Sequence, residues 1–372
     1  MAKHKKEKRK NSFQVHWDFL KQYLNNPSPT GFEKEGQKLW LEYVKPYVDD
    51  YLVDPYGSVA AIINPDAKFK VVIEAHADEI SWFVNYITPE GLIYVIRNGG
   101  SDQQIAPSKR VHIHTEKGIV KAVFGWPAIH TRMRSNDNKD PQPKVENIFL
   151  DCGARSRKEV EELGVHVGCV VTFEDSYDEL AYNHIVGRAL DNRVGGFMIA
   201  EVARWLSENP PADGQIPFAL YIVNAVQEEV GLRGAEMMAR RIKPHAAIIT
   251  DVTHDTTTPM INKNLEGDVS SGKGPVITYG PAVHHILRDL IIDTAKKEDI
   301  PYQLAAVSRS TGTDTDAFAY ANDGTPSALI SLPLRYMHTT VEMVSKKDIE
   351  HTIQLIYHSL LRIKPDMNFR YF

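Results

Sequence analysis

Residues 218–235 read FALYIVNAVQEEVGLRGA, and this stretch decides most of the architecture. Phe218–Val226 is a nine-residue apolar run of strand length, and two adjacent carboxylates, Glu228 and Glu229, follow it directly. Like charges side by side repel unless a cation lies between them. Neighbouring strand residues also point to opposite faces. Both carboxylates therefore reach one site only if the backbone turns, and Gly231 and Gly234 make that turn available.

The pattern recurs along the chain. His76 follows the apolar run Val71–Ala75, Asp251 follows Ala246–Thr250, and His338 lies past Ser327–Leu332. In an open α/β sheet, ligands gather at the carboxyl ends of the strands, so residues distant in sequence meet there. Asp191 differs, because it opens a helical pattern (Val194, Phe197, Met198, Val202, Trp205) and is placed to cap that helix.

Around these strands the order is that of an α/β domain with an insertion. A helical stretch from Phe13 to Val48, broken at Ser28–Gly31, leads to a strand pair, Tyr51–Val53 and Ser58–Ile63. From Phe83 to Phe173 short strands with close turns take over, with one helical segment at Ser156–Leu163 and a polar, proline-flanked loop at Thr131–Pro143. Strand–helix alternation resumes near Asp191 and runs to Leu361. The expected division is a basic disordered tail over 1–11, a catalytic domain over 12–82 and 180–372, and a β-rich insertion over 83–179.

Composition narrows the function classes. A chain of 372 residues exceeds one small core, and 42% hydrophobic with 24% charged residues is ordinary for a globular protein. The net charge of −5 supplies no broad positive field, so nucleic acid is not an expected partner. No apolar run approaches the roughly 18 residues that span a bilayer, so no membrane partner is expected either. Cys152 and Cys169 read as free thiols in a reducing compartment, which points to the cytoplasm.

Imidazole and carboxylate are ligands for zinc and similar ions, and two such ions can share a carboxylate and a water. The six residues divide to suit that arrangement: Asp191 bridges, His76 and Asp251 complete one ion, and Glu229 and His338 complete the other. Glu228 is left over, as a general base must be. Asp78, two residues from His76, is placed to receive the second N–H of that imidazole. Glu79 receives no role, and His254 and Asp255 compete with Asp251.

These motifs, in this order, resemble the dinuclear aminopeptidases that include glutamyl aminopeptidase and the tetrahedral, self-compartmentalising enzymes, some of which also carry an endoglucanase label. The matching segments include SPTG (28–31), DPYGSV (54–59), HADEI (76–80), ALDNRV (189–194), QEEVGLRGA (227–235), DVT (251–253), TGTD (311–314) and SLPLRYMHT (331–339). The resemblance implies a mixed-sheet α/β catalytic domain of the zinc-peptidase (phosphorylase/hydrolase-like) type with an inserted β-rich lid or dimerisation domain. It also implies two divalent ions per subunit, zinc first with cobalt or manganese as alternatives, held by His76, Asp191, Glu229, Asp251 and His338. Glu228 would be the base and Asp78 the residue orienting His76. The expected substrates are peptides with a free N-terminus, and the expected assembly is a homo-oligomer of dimers, up to a dodecamer. Ser81-Trp82 departs from the glycine usual after HADEI. The rival functions are a related amidohydrolase on acyl-amino acids, a glycosidase, and a non-catalytic scaffold.

Overall fold

The computed structural model describes residues 13–133, 140–211 and 213–372. The tail over 1–11 and the middle of the Thr131–Pro143 loop lie outside the described residues.

The central sheet has eight strands in the order Asp50–Val53, Val59–Ile63, Ala219–Ala225, Lys70–His76, Ala246–His254, Ser327–Leu334, Val276–Tyr279 and Gln303–Ala306. Its four middle strands, from Ala219–Ala225 to Ser327–Leu334, are mutually parallel. Their carboxyl ends therefore share one edge, while antiparallel pairings flank them on both sides. The helix Leu190–Glu208 packs on this sheet with every residue from Leu190 to Leu206 buried. Its large side chains, such as Phe197 and Trp205, are enclosed, and each such burial stabilises by roughly 1.5–3 kcal/mol. Because this helix is so well anchored, Asp191 at its start is presented on a rigid support.

A second core belongs to a closed six-stranded barrel. Around the barrel the strands run Ser81–Ile87, Ile93–Asn98, Phe149–Asp151, Gly118–Gly125, Arg110–Thr115 and Val170–Phe173. Trp82, Phe124 and Leu150 fill its interior. Ser81 and Trp82 thus pair within the barrel, and the short strand Tyr177–Leu180 pairs outside it. That strand joins His184–Gly187 and Glu342–Ser345 in a three-stranded sheet beside the catalytic edge.

Several expectations need correction. Strand Ala246–His254 continues past Thr250, so Asp251 lies within it. Strand Ser327–Leu334 is also longer than its apolar run suggested, and His338 stands four residues beyond its end. A short helix, Ile129–Arg132, joins Arg157–Glu162 in the inserted region. Asp191 does not cap its helix: it has the non-helical angles φ −76°, ψ 113°, and the next residue, Asn192, accepts the Gly195 amide at 3.1 Å where the regular turns begin. Both cysteines are free; Cys169 is buried and Cys152 half-buried. Among the described residues no helix is long and apolar enough to cross a membrane.

Candidate metal centre

The carboxyl edge of the sheet brings together His76, Asp191, Glu228, Glu229, Asp251 and His338. His76 ends its strand and is opposite Ala225, the last residue of the neighbouring strand. From Ala225 the chain turns sharply: Gln227 adopts φ +58°, and the amides of Gly231 and Leu232 return to the Glu228 carbonyl at 2.8 and 3.0 Å. That turn lets both Glu228 and Glu229 face one site, which a straight strand forbids.

Asp191 stands at the middle. Its Oδ1 is 3.2 Å from Nε2 of His76, and its Oδ2 is 3.2 Å from Nε2 of His338. Asp251 Oδ1 and Glu228 Oε2 each lie 3.8 Å from His76 Nε2, and Glu229 Oε2 lies 3.6 Å from His338 Nε2. Two groups of ligand-type atoms, His76–Asp191–Asp251 and Asp191–Glu229–His338, each fall within 4.8 Å. His76 also forms such a group with Glu228 and Glu229. The donors are imidazole nitrogen and carboxylate oxygen, which suits borderline divalent cations.

The electrostatics have one cause. Burial and the neighbouring carboxylates push Glu228 up to about 8, and burial followed by Asp191 pushes Glu229 well above the carboxylate range. Burial also raises Asp251 well above its ordinary value. Asp191 resists its own burial because hydrogen bonds from His338 and His76 hold its carboxyl well below that range. Burial opposes the charge on His76, but Glu228, Asp191 and Asp78 outweigh it and raise the imidazole well above its usual value. So dense a buried carboxylate cluster carries more negative charge than its two imidazoles can offset, and divalent cations among the oxygens would balance it. The residues fit a pair of metal ions.

A layer of supporting groups surrounds the ligands. Asp78 Oδ1 accepts the Glu228 amide at 2.9 Å, and its Oδ2 accepts the Glu229 amide at 3.3 Å and the Thr30 hydroxyl at 2.9 Å. The same carboxylate lies 3.4 Å from Nδ1 of His76, so Asp78 touches three members of the site. Buried Glu342 accepts the amides of Asp191, at 3.1 Å, and His338, at 2.7 Å. Behind His76 lie two buried carboxyls, Glu74, raised to about 8 by burial, and Asp314, raised well above its usual value by burial and by Glu74. Glu79, given no role from the sequence, is buried and paired with Arg188, which also pairs with Asp175.

The competitors are accounted for. His254 is exposed at its strand end, and Asp255 is taken by Arg335, whose Nε donates at 2.6 Å. Sequence reasoning missed Glu342, Glu74 and Asp314. Only Asp314 carried a signal, as the acid of TGTD, where it starts the helix Asp314–Ala319.

The family model described as M42 glutamyl aminopeptidase matches residues 57–355. A lysyl aminopeptidase of Pyrococcus furiosus is 33% identical over 356 residues, covering 94% of this chain and 98% of its own. The crystal structure of a TET aminopeptidase from a marine-sediment Thaumarchaeota archaeon superposes with a TM-score of 0.88 at 30% identity, covering 94% of this chain and 96% of its own. The TET1 peptidase of Pyrococcus horikoshii, which can assemble into a tetrahedron or a large octahedral shell, gives a TM-score of 0.82 at 27% identity over 93% of this chain and 99% of its own.

Proposed function

This chain belongs to the M42 glutamyl aminopeptidase family, a family of metal-dependent peptidases, and we propose that it works with two divalent ions. His76, Asp191 and Asp251 would hold one, and Asp191, Glu229 and His338 the other; zinc is the first choice, with cobalt or manganese as alternatives. The observation that carries this reading is the division of Asp191, which turns one oxygen to each histidine at 3.2 Å. When bound, such ions supply Lewis acidity, polarising a peptide carbonyl and acidifying water to a pKa of about 7.

Glu228 lies outside either ligand set and acts as the base. Its carboxylate takes a proton from the attacking water and passes it to the nitrogen of the leaving amine. Asp78 holds the Glu228 and Glu229 amides and faces His76, fixing base and ligands in one geometry. The substrates in this reading are peptides with a free N-terminus. The insertion of 83–179, whose barrel takes in Ser81 and Trp82 as well, is the lid or dimerisation domain beside a catalytic domain of 12–82 and 180–372. Homo-oligomeric assembly, from dimers to a dodecamer, is supported by the shells that the P. horikoshii enzyme forms. We place the protein in the cytoplasm.

A panel of aminoacyl-p-nitroanilides tests the activity. Release from unblocked substrates, lost on chelation, restored by zinc or cobalt and absent with N-acetylated substrates, is the expected result. Release from the acetylated panel alone would replace the aminopeptidase with an acyl-amino-acid hydrolase.

A further inference from the structure

The two histidines of the cluster are steadied from different parts of the molecule. The Nδ1 of His76 faces Asp78, 3.2 Å from its main-chain oxygen and 3.4 Å from Oδ1. His338, with Nε2 turned to Asp191, presents the Nδ1–Cε1 side of its ring to Gly100. Gly100 belongs to the loop that follows barrel strand Ile93–Asn98. The barrel therefore reaches the metal centre.

The fit at this contact is tight. A Cβ on Gly100 would lie 2.7 Å from Nδ1 and 2.8 Å from Cε1 of His338, closer than real Cβ atoms approach. At the adjacent Gly99, where φ is +76°, a Cβ would come within 3.2 Å of the Glu229 Cβ. The loop is pinned on the other side. Asn98 Nδ2 donates to the Thr30 carbonyl and to Ser81 Oγ, both at 2.8 Å, and Ser101 Oγ donates to the Ser81 carbonyl at 2.6 Å. Asn98 and Ser101 are buried, whereas the His338 side chain is 34% exposed. Under added bulk at position 100, the ring is the part that yields.

We propose that the barrel loop Asn98–Ser101 positions one half of the metal centre. Gly100 sets the orientation of His338 and so the ion position formed by Asp191, Glu229 and His338. The atoms nearest to Gly99 and Gly100 belong to Glu229, Ile80 and His338, so of the two positions the loop abuts this one directly. Gly100 is thus a positioning residue contributed by the inserted domain: its missing side chain leaves the His338 ring the room it occupies. Disturbing the surroundings that orient a ligating imidazole commonly weakens metal binding about 10–100-fold. The proposal rests on the two-ion reading above.

Calorimetric titration of the full-length apoprotein with zinc tests it. The wild type is expected to take two ions, and Gly100→Ala to bind one of them as before and the other about 10–100-fold more weakly. Gly118→Ala serves as the control, because it strains the same barrel at φ +116° with no atom within 4 Å of the new Cβ. It is expected to bind both ions like the wild type. Should Gly100→Ala fail to fold, Ser101→Ala, which removes the 2.6 Å bond to the Ser81 carbonyl and so loosens the loop without adding bulk, is expected to weaken the same ion. Wild-type affinity for both ions in a folded Gly100→Ala or Ser101→Ala protein overturns the proposal, as does equal weakening of both ions or the same loss in Gly118→Ala. A wild type that takes fewer than two ions overturns the two-ion reading itself, and this inference falls with it.

Discussion

Glu228→Gln is expected to lower kcat by about 10²–10⁴-fold, the usual share of general acid–base catalysis, while both metal ions stay bound. The substitution keeps the shape of the side chain and removes its ability to accept and return a proton. The Glu228 amide would still donate to Asp78, at 2.9 Å in the native protein, so the turn that places Glu229 is preserved. Steady-state kinetics on the best p-nitroanilide, paired with metal analysis of the same sample, separates the two effects. Near-normal turnover would remove Glu228 as the base. Lost metal would mean that Glu228 is a ligand, a reading its 3.8 Å separation from His76 Nε2 makes worth testing.

Asp191→Asn is expected to fail differently, with metal and activity lost together. The native carboxylate turns both oxygens to separate histidines. An amide side chain offers one oxygen and an NH₂ that cannot ligate, so at most one ion retains its full set. The main-chain N–H at position 191 and that of His338 would still reach Glu342, leaving the local backbone supported. The expected protein is folded, holds at most one ion per chain by elemental analysis, and loses activity by at least as much as Glu228→Gln. Two tightly bound ions in Asp191→Asn would exclude Asp191 as the bridge.

How far the sequence revealed this arrangement depends on the range of the signal. The strands ending at His76 and preceding Glu228 are marked by local apolar runs, so both were legible. The strands Val276–Tyr279 and Gln303–Ala306 are only four residues long, too short for their residues to mark a strand apart from the loops around them. Asp191 has two local readings, cap and ligand. Only its contacts with His76 and His338, both distant in sequence, distinguish them. Asp78 was visible as a neighbour of His76, but its bonds to the Glu228 and Glu229 amides span 150 and 151 positions. Glu342 and Gly100 were silent, because a lone acid and a loop glycine acquire meaning only when the fold sets them against His338.

Anomalous diffraction at the zinc edge from crystals of the zinc-loaded wild type would locate the ions themselves. Two peaks per chain are expected, one among His76, Asp191 and Asp251 and one among Asp191, Glu229 and His338. A single peak, or a second one away from Asp191, would contradict the two-ion reading.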